Sequence, residues 1–235
     1  MLQSLNIAIV QPIKDFLFVT ECFHCGTRLL DNESRICARC WSTMTLVGEN
    51  DYTINVLRER FKEGGVIDEL VSLFYFEKGK LLQSLAHSLK YQELTIFGFE
   101  LGVRVSEKLQ GKEFDILIPV PLNKRKERER GYNQSDFIAK GISSVLNVPF
   151  DLNVVRRDKY TVTQTHLNAE QRKDNIAEAF SVVRPEKING KNILIVDDII
   201  TTGATIQELA RVLKIAGARN ITAVSAGLAK LGNEN

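Results

Sequence analysis

The chain lacks cysteine after residue 40. Cys22, Cys25, Cys37 and Cys40 are all four of its cysteines, and residues 41–235 carry none. A disulfide scaffold would spread its bridges over a small secreted chain, so this clustering points to metal binding in a reducing compartment. No apolar run approaches the roughly 18 residues of a membrane span, which argues against insertion. Residues 1–20 lack the basic start and small-residue cleavage site of a secretion signal, and Pro12, Lys14 and Asp15 interrupt their apolar stretches. The expected location is the cytoplasm. Neither sign of charge dominates: 31 Lys and Arg face 29 Asp and Glu, a net charge of +2. Any nucleic-acid contact must therefore rest on a local patch. Internal repeats and low-complexity tracts are absent, and the 44% hydrophobic and 26% charged content is that of a globular protein. The phosphate-loop pattern G-x-x-x-x-G-K-[ST] is missing, and so is any G-x-G. These absences disfavour a P-loop nucleotidase and a dinucleotide-binding Rossmann domain.

At about 150 residues per domain, 235 residues make roughly one and a half domains. The expected division is 1–50, a helical segment plus the cysteine module, and 51–235, an α/β domain. Thr45 to Gly65 reads as a polar connector without a clear period, or as a loop and short helix. Leu70 to Phe76 reads as a strand, and Leu81 to Leu89 and Leu94 to Leu109 as helices. Phe114 to Val120 and Asn192 to Val196 are short, nearly all-apolar runs, the mark of strands covered on both faces. Asn133 to Leu146 is a predicted helix, with Asn133 or Ser135 as its cap. Arg156 to Arg172 has no period and reads as a long loop, followed by a short strand at Phe180 to Val183. Gly203 to Ala216 reads as a helix and Ile221 to Leu228 as a third buried strand. Alternating strands and helices imply a mostly parallel sheet flanked by helices.

The cysteines form two C-x-x-C pairs eleven residues apart. Each pair chelates through one tight turn, and four thiolates suit tetrahedral Zn²⁺. Four ligands leave no open position, so the predicted site is structural. A redox C-x-x-C and an iron–sulfur cluster are the rival readings. His24, inside the first pair, reads as exposed or as a neighbour of the ligands.

The most informative run is ILIVDDIITTGAT, Ile193 to Thr205. A buried strand delivers Asp197 and Asp198 at its C-terminal end, where open α/β sheets bind ligands. Thr201, Thr202, Gly203, Ala204 and Thr205 then offer N–H groups and hydroxyls at a helix start, a site for an anion. Carboxylates beside a phosphate need a reason. They accept from sugar hydroxyls, or they act with Mg²⁺ held on phosphates. Both suit a ribose with a phosphate at one end and a diphosphate at the other.

VDDIITTGAT resembles the phosphoribosyl-diphosphate (PRPP) motif of type I phosphoribosyltransferases. IPVPLNKRKERERGYNQ, Ile118 to Gln134, adds the strand-PVPL and R-G-[FY]-N-Q segments of the ComF competence proteins. Leu89, Lys90 and Tyr91, then Thr163, Gln164, Leu167, Arg172, Asn175, Ala179 and Phe180, follow in the order of that family. With the four cysteines in front, the chain is similar to the ComF family, which joins a zinc module to a phosphoribosyltransferase-like domain. It departs from the family at Tyr132, where phenylalanine is usual, at Asn123 and Lys124, where histidine and proline are frequent, and at Val162, where proline is frequent.

The resemblance implies a zinc ribbon or knuckle followed by a type I phosphoribosyltransferase-like fold. It implies that Asp197 and Asp198 hold the ribose and help position Mg²⁺, and that Thr201 to Thr205 cradle the 5′-phosphate. Pro121, Leu122, Asn123 and Lys124 would form the diphosphate loop, with Arg128 and Arg130 adding charge. Arg157 to Arg172 would form a closing loop. Two functions follow: phosphoribosyl transfer from Mg-PRPP to an acceptor, or handling of single-stranded DNA during uptake with PRPP as a ligand or sensor. The run Lys124 to Arg130, KRKERER, serves either role or is a solvated helix start.

Overall fold

In the computed structural model, residues 21–31, 33, 35–77, 80–83, 95–158 and 179–230 are described. They fall into two compact units, one ending at Thr45 and the other starting at Leu46. Among the described residues no helix is long and apolar enough to cross a membrane.

The first unit is a turn, a connecting segment and one short helix, α1 (Ala38–Ser42). Gly26 closes the first turn. Its N–H donates to the Cys22 carbonyl (2.9 Å), and its φ of +68° is one that glycine adopts without strain. Glu33 braces the second half by accepting from the N–H groups of Leu30 (2.9 Å) and Ala38 (2.5 Å).

The second unit is built on a parallel sheet of β1 (Glu69–Phe76), β2 (Ile116–Pro119), β5 (Asn192–Ile200) and β6 (Asn220–Ala229), ordered β1-β6-β5-β2. An antiparallel pair, β3 (Val155–Arg157) and β4 (Phe180–Val182), lies outside this sheet. Strand residues alternate between two buried faces. Ile193, Ile195, Ile221 and Ala223 join one core with α2 (Tyr52–Glu63), through Ile54, Leu57 and Phe61, and with α6 (Ala204–Ile215), through Ile206, Leu209 and Leu213. α3 (Thr95–Ser106) and α5 (Gln134–Leu146) pack on each other, and α5 also packs on β2 and β5. Glycines let the two helices touch. A Cβ on Gly102 would stand 2.1 Å from the Ile138 carbonyl oxygen, and one on Gly141 would stand 2.1 Å from that of Phe99.

Three elements bear on the sequence expectations. Arg156 and Arg157, read as the start of a loop, lie in β3. Of the two readings of Thr45 to Gly65, the one with a helix holds: it carries α2, capped by Asp51, whose side chain accepts from the Thr53 N–H (3.1 Å). Its buried Ile54, Leu57 and Phe61 recur at spacings of three and four, one helical stripe among polar neighbours. β5 continues past Val196 to Ile200, because Asp197, Ile199 and Ile200 stay paired with Ser225, Gly227 and Leu228 of β6. The two aspartates are thus the last polar rungs of a strand. The predicted helices at 2–19 and 84–89, and most of the predicted closing loop, lie outside the described residues.

The chain order creates a crevice. β2 and β5 are neighbours, but they hand the chain on in opposite directions. β5 continues through α6 to β6. β2 continues through α4 (Lys124–Arg130) and α5 to Phe150, which bridges in parallel to Leu117 on the outer side of β2. Between two such strands the loops at their carboxyl ends part and leave room for a ligand.

Candidate functional site

The first turn of α5 links the end of β5, through Ser135 and Asp197, to the loop after β2, through Asn133 and Val120; the cleft beside that loop is not lined by Asp197, Asp198 or residues 201–205. On the β5 side, Asp197 and Asp198 are half-buried. Asp197 accepts from the Asp198 N–H (2.9 Å) and from the Ser135 hydroxyl (3.4 Å), and Asp198 accepts from the Ile199 N–H (2.8 Å). Burial, and then the charge of Asp198, holds the Asp197 carboxyl well above the usual carboxylate range. Such a pair is eased by groups that favour the charged form, either hydroxyl donors or a divalent cation.

Gly203 enters α6 at φ +79°, and its Cα faces the Phe61 ring so closely that a Cβ would lie 2.5 Å from Cζ. Position 203 therefore excludes side chains twice over, by conformation and by space. α2 supports the same loop, since Arg60 donates to the Thr202 carbonyl (3.4 Å). Thr201 is exposed, Thr202, Ala204 and Thr205 are half-buried, and the N-terminal turn of α6 starts beside them. The supporting role of α2 was not part of the sequence reading, although its apolar stripe was a signal for the helix.

On the β2 side, the Val120 N–H donates to the Val196 carbonyl (2.8 Å), which ties this loop to β5. Pro121 and Leu122 are half-buried. Asn123 is buried and caps α4 by accepting from the Arg125 N–H (2.9 Å). Lys124, Pro121 and Leu122 line a cleft of about 530 Å³ together with Asn133, Asp136, Arg156 and Arg157. Arg157 stands over the Phe180 ring at 5.3 Å; burial holds its guanidinium below the usual range, and the charge of Asp197 opposes that shift.

The basic run forms the short helix α4. Its exposed Arg125 and Glu129 pair at 3.0 Å, one turn apart. Arg128 is exposed and donates to the Lys124 carbonyl (3.3 Å), and it is not among the side chains lining the cleft. Arg130 ends the helix, and its side chain lies outside the description. Asn133 does stand at the cap position of α5, but its side chain makes no capping bond. Its amide is used elsewhere: Nδ2 donates to the Val120 carbonyl (3.0 Å) and to Asp136 Oδ1 (2.6 Å). Tyr132 meets Phe137 edge-on at 5.4 Å.

In the other unit the four cysteine sulfurs lie within 4.8 Å of one another. Cys22 and Cys40 are 3.7 Å apart at Sγ, and so are Cys25 and Cys37. Tetrahedral thiolates about 2.3 Å from a zinc ion stand about 3.8 Å from each other, so the spacing fits a metal ion and is far too long for a disulfide. The Cys37 N–H donates to the Cys22 sulfur (3.3 Å), as amides do around metal-bound thiolates. His24 is exposed.

Residues 135–230 match the family model described as "Phosphoribosyl transferase domain". The chain is 31% identical over 219 residues to "Competence protein F" of Haemophilus influenzae, a match covering 90% of this chain and 84% of that protein. The chain belongs to the ComF family. It is also 26% identical to "Competence protein ComFC" of Bacillus subtilis over 82% of this chain and 77% of that protein. To "DNA utilization protein YhgH" of Escherichia coli K12 it is 39% identical over 58% of this chain and 63% of that protein. Its second unit has the type I phosphoribosyltransferase fold, a mostly parallel sheet flanked by helices, and the ComF four-cysteine cluster precedes it.

Proposed function

We propose that this ComF-family chain binds PRPP with Mg²⁺ in the β2–β5 crevice and transfers its phosphoribosyl group to an acceptor. One observation carries the reading. A carboxylate pair and a glycine-gated helix start stand at the end of one strand, facing the loop of the neighbouring strand across a topological switch point. The backbone around Thr201 to Thr205 holds the 5′-phosphate, and Gly203 allows its close approach. Asp197 and Asp198 accept from the ribose hydroxyls and face the cation. Pro121 to Lys124 cradle the diphosphate, and Arg157 adds positive charge near Asp197. Magnesium, when bound, supplies neutralising charge for the departing diphosphate. The four cysteines hold zinc, which folds their unit and takes no part in the chemistry. A zinc site of this kind suits the cytoplasm, where thiols stay reduced.

The names of the relatives favour a second reading, in which the crevice senses PRPP and the protein handles single-stranded DNA. The exposed basic side chains of α4, Lys124, Arg125 and Arg128, are its contact surface. Its affinity for single-stranded DNA is expected to fall with salt and with Arg128→Ala. Salt-insensitive or undetectable binding removes it. Diphosphate release from PRPP against a panel of nucleobases and amines separates the two readings. Release with one acceptor supports transfer, and PRPP binding without release under every acceptor supports sensing.

A further inference from the structure

The first turn of α5 touches both walls of the crevice, and the chemistry so far assigned leaves it no role. Ser135 reaches Asp197 on the β5 side, and Asn133 reaches the Val120 carbonyl on the β2 side. We propose that Asn133, oriented by Asp136, is a positioning residue that fixes the loop Val120–Lys124 at its working distance from the Asp197–Asp198 pair.

Val120 opens that loop. It is buried, 4% exposed, so its carbonyl needs a partner within the protein. Its N–H is committed to the Val196 carbonyl, and its oxygen accepts from Asn133 Nδ2. The residue is thereby gripped from both sides. Pro119 and Pro121 flank it, and neither brings an N–H that could hold the segment by itself. Beyond Pro121 the Asn123 cap fixes the far end, so the turn between is clamped at both ends.

Asp136 decides which way the Asn133 amide faces. Both hydrogens of Nδ2 are used, one on Val120 and one on Asp136 Oδ1 at 2.6 Å. If the amide were reversed, its oxygen would face a carbonyl and a carboxylate, two acceptors. Asp136 is mostly withdrawn from water, and its carboxyl is pushed up to about 6 by that burial, with Glu127 raising it further and Asn133 and Lys140 opposing. An asparagine at 136 would keep an acceptor oxygen for Nδ2 without the charge.

This inference rests on the PRPP reading, so the experiment carries one readout that does not. Mg-PRPP is titrated into the full-length protein and into Asn133→Ala, Asp136→Ala and Asp136→Asn. Amide hydrogen exchange of Leu122 to Lys124 is followed without ligand. The expected result is affinity about tenfold weaker or worse for Asn133→Ala and Asp136→Ala, near-normal affinity for Asp136→Asn, and unchanged zinc content throughout. Exchange at Leu122 to Lys124 is expected to quicken in the two alanine variants and to stay slow in Asp136→Asn. If Asn133→Ala does not fold, the two Asp136 variants carry the test alone. Equal exchange in all four proteins overturns the proposal, as does an Asp136→Asn protein that behaves like Asp136→Ala. A wild-type chain that binds no PRPP, yet shows the exchange pattern, removes the ligand reading and leaves the positioning role standing.

Discussion

The two units reach an ordered state by different physics. Among the described residues, the cysteine unit buries Leu29, Ile36, Trp41 and Met44 alongside three of its four cysteines, too little apolar surface for a fold of that size to stand alone. The sheet unit buries an apolar cluster from both ends of its sequence, from Val47 to Leu228. In the first, the proposed zinc site on the four cysteines would be the source of stability. In the second, the ionised form of Asp197, disfavoured by its burial and by the charge of Asp198, is a cost that the apolar core sustains. Buried ionisable groups therefore mean opposite things in the two halves. On the proposed function, the cysteines answer to folding and the aspartates answer to a ligand.

The largest effect expected from this contrast is in the cysteine unit. Cys22→Ser with Cys40→Ser, or chelation, is expected to remove zinc and the ordered structure of residues 21–45. Structural zinc in small peptides is worth about 10–16 kcal/mol. Metal analysis with circular dichroism reads the outcome, and the thermal transition of the sheet unit is expected to persist. Next is Gly203→Ala, which meets both the positive φ and the Phe61 ring and is expected to cost about 1–3 kcal/mol by thermal denaturation. Gly141→Ala is expected to cost at least as much, but without touching PRPP affinity, because its clash is with the backbone carbonyl of Phe99 in the helix pair.

A smaller effect of opposite sign sharpens the contrast further. The carboxyl of Asp197 is raised in the folded state, so its ionised form disfavours folding at neutral pH. That penalty is relieved as pH falls through the raised value. Asp197→Asn is accordingly expected to raise the ligand-free Tm at pH 7 by about 2–4 °C and to make it less pH-dependent. A lowered Tm would mean that the acid contributes to the fold. The smallest effect is expected at the surface. Arg125→Ala removes an exposed ion pair and should change stability by less than about 0.5 kcal/mol.

Much of this was legible in the sequence because local patterns carry it. The apolar runs at 116–119, 192–196 and 221–228 announce buried parallel strands, and D-D-x-x-T-T-G-A-T announces a strand end followed by a helix start. α2 was obscured because its stripe of three apolar residues sits among charged neighbours, although its spacing was readable. The work of Asn133 was not readable. Its partner Val120 is thirteen residues away in sequence, and a polar residue before a helix reads locally as a cap. The use of Phe61 as the floor under Gly203 is long-range as well, and only the folded chain brings the two together.

The central claim is that the Asp197–Asp198 pair exists for a ligand. Calorimetry of Mg-PRPP binding to the wild-type chain and to Asp197→Asn/Asp198→Asn, with zinc content measured in both, tests it most directly. The account predicts saturable binding by the wild type, none by the variant, equal zinc and no loss of stability in the variant. Absence of heat from the wild type at millimolar PRPP, or undiminished binding by the variant, would contradict it.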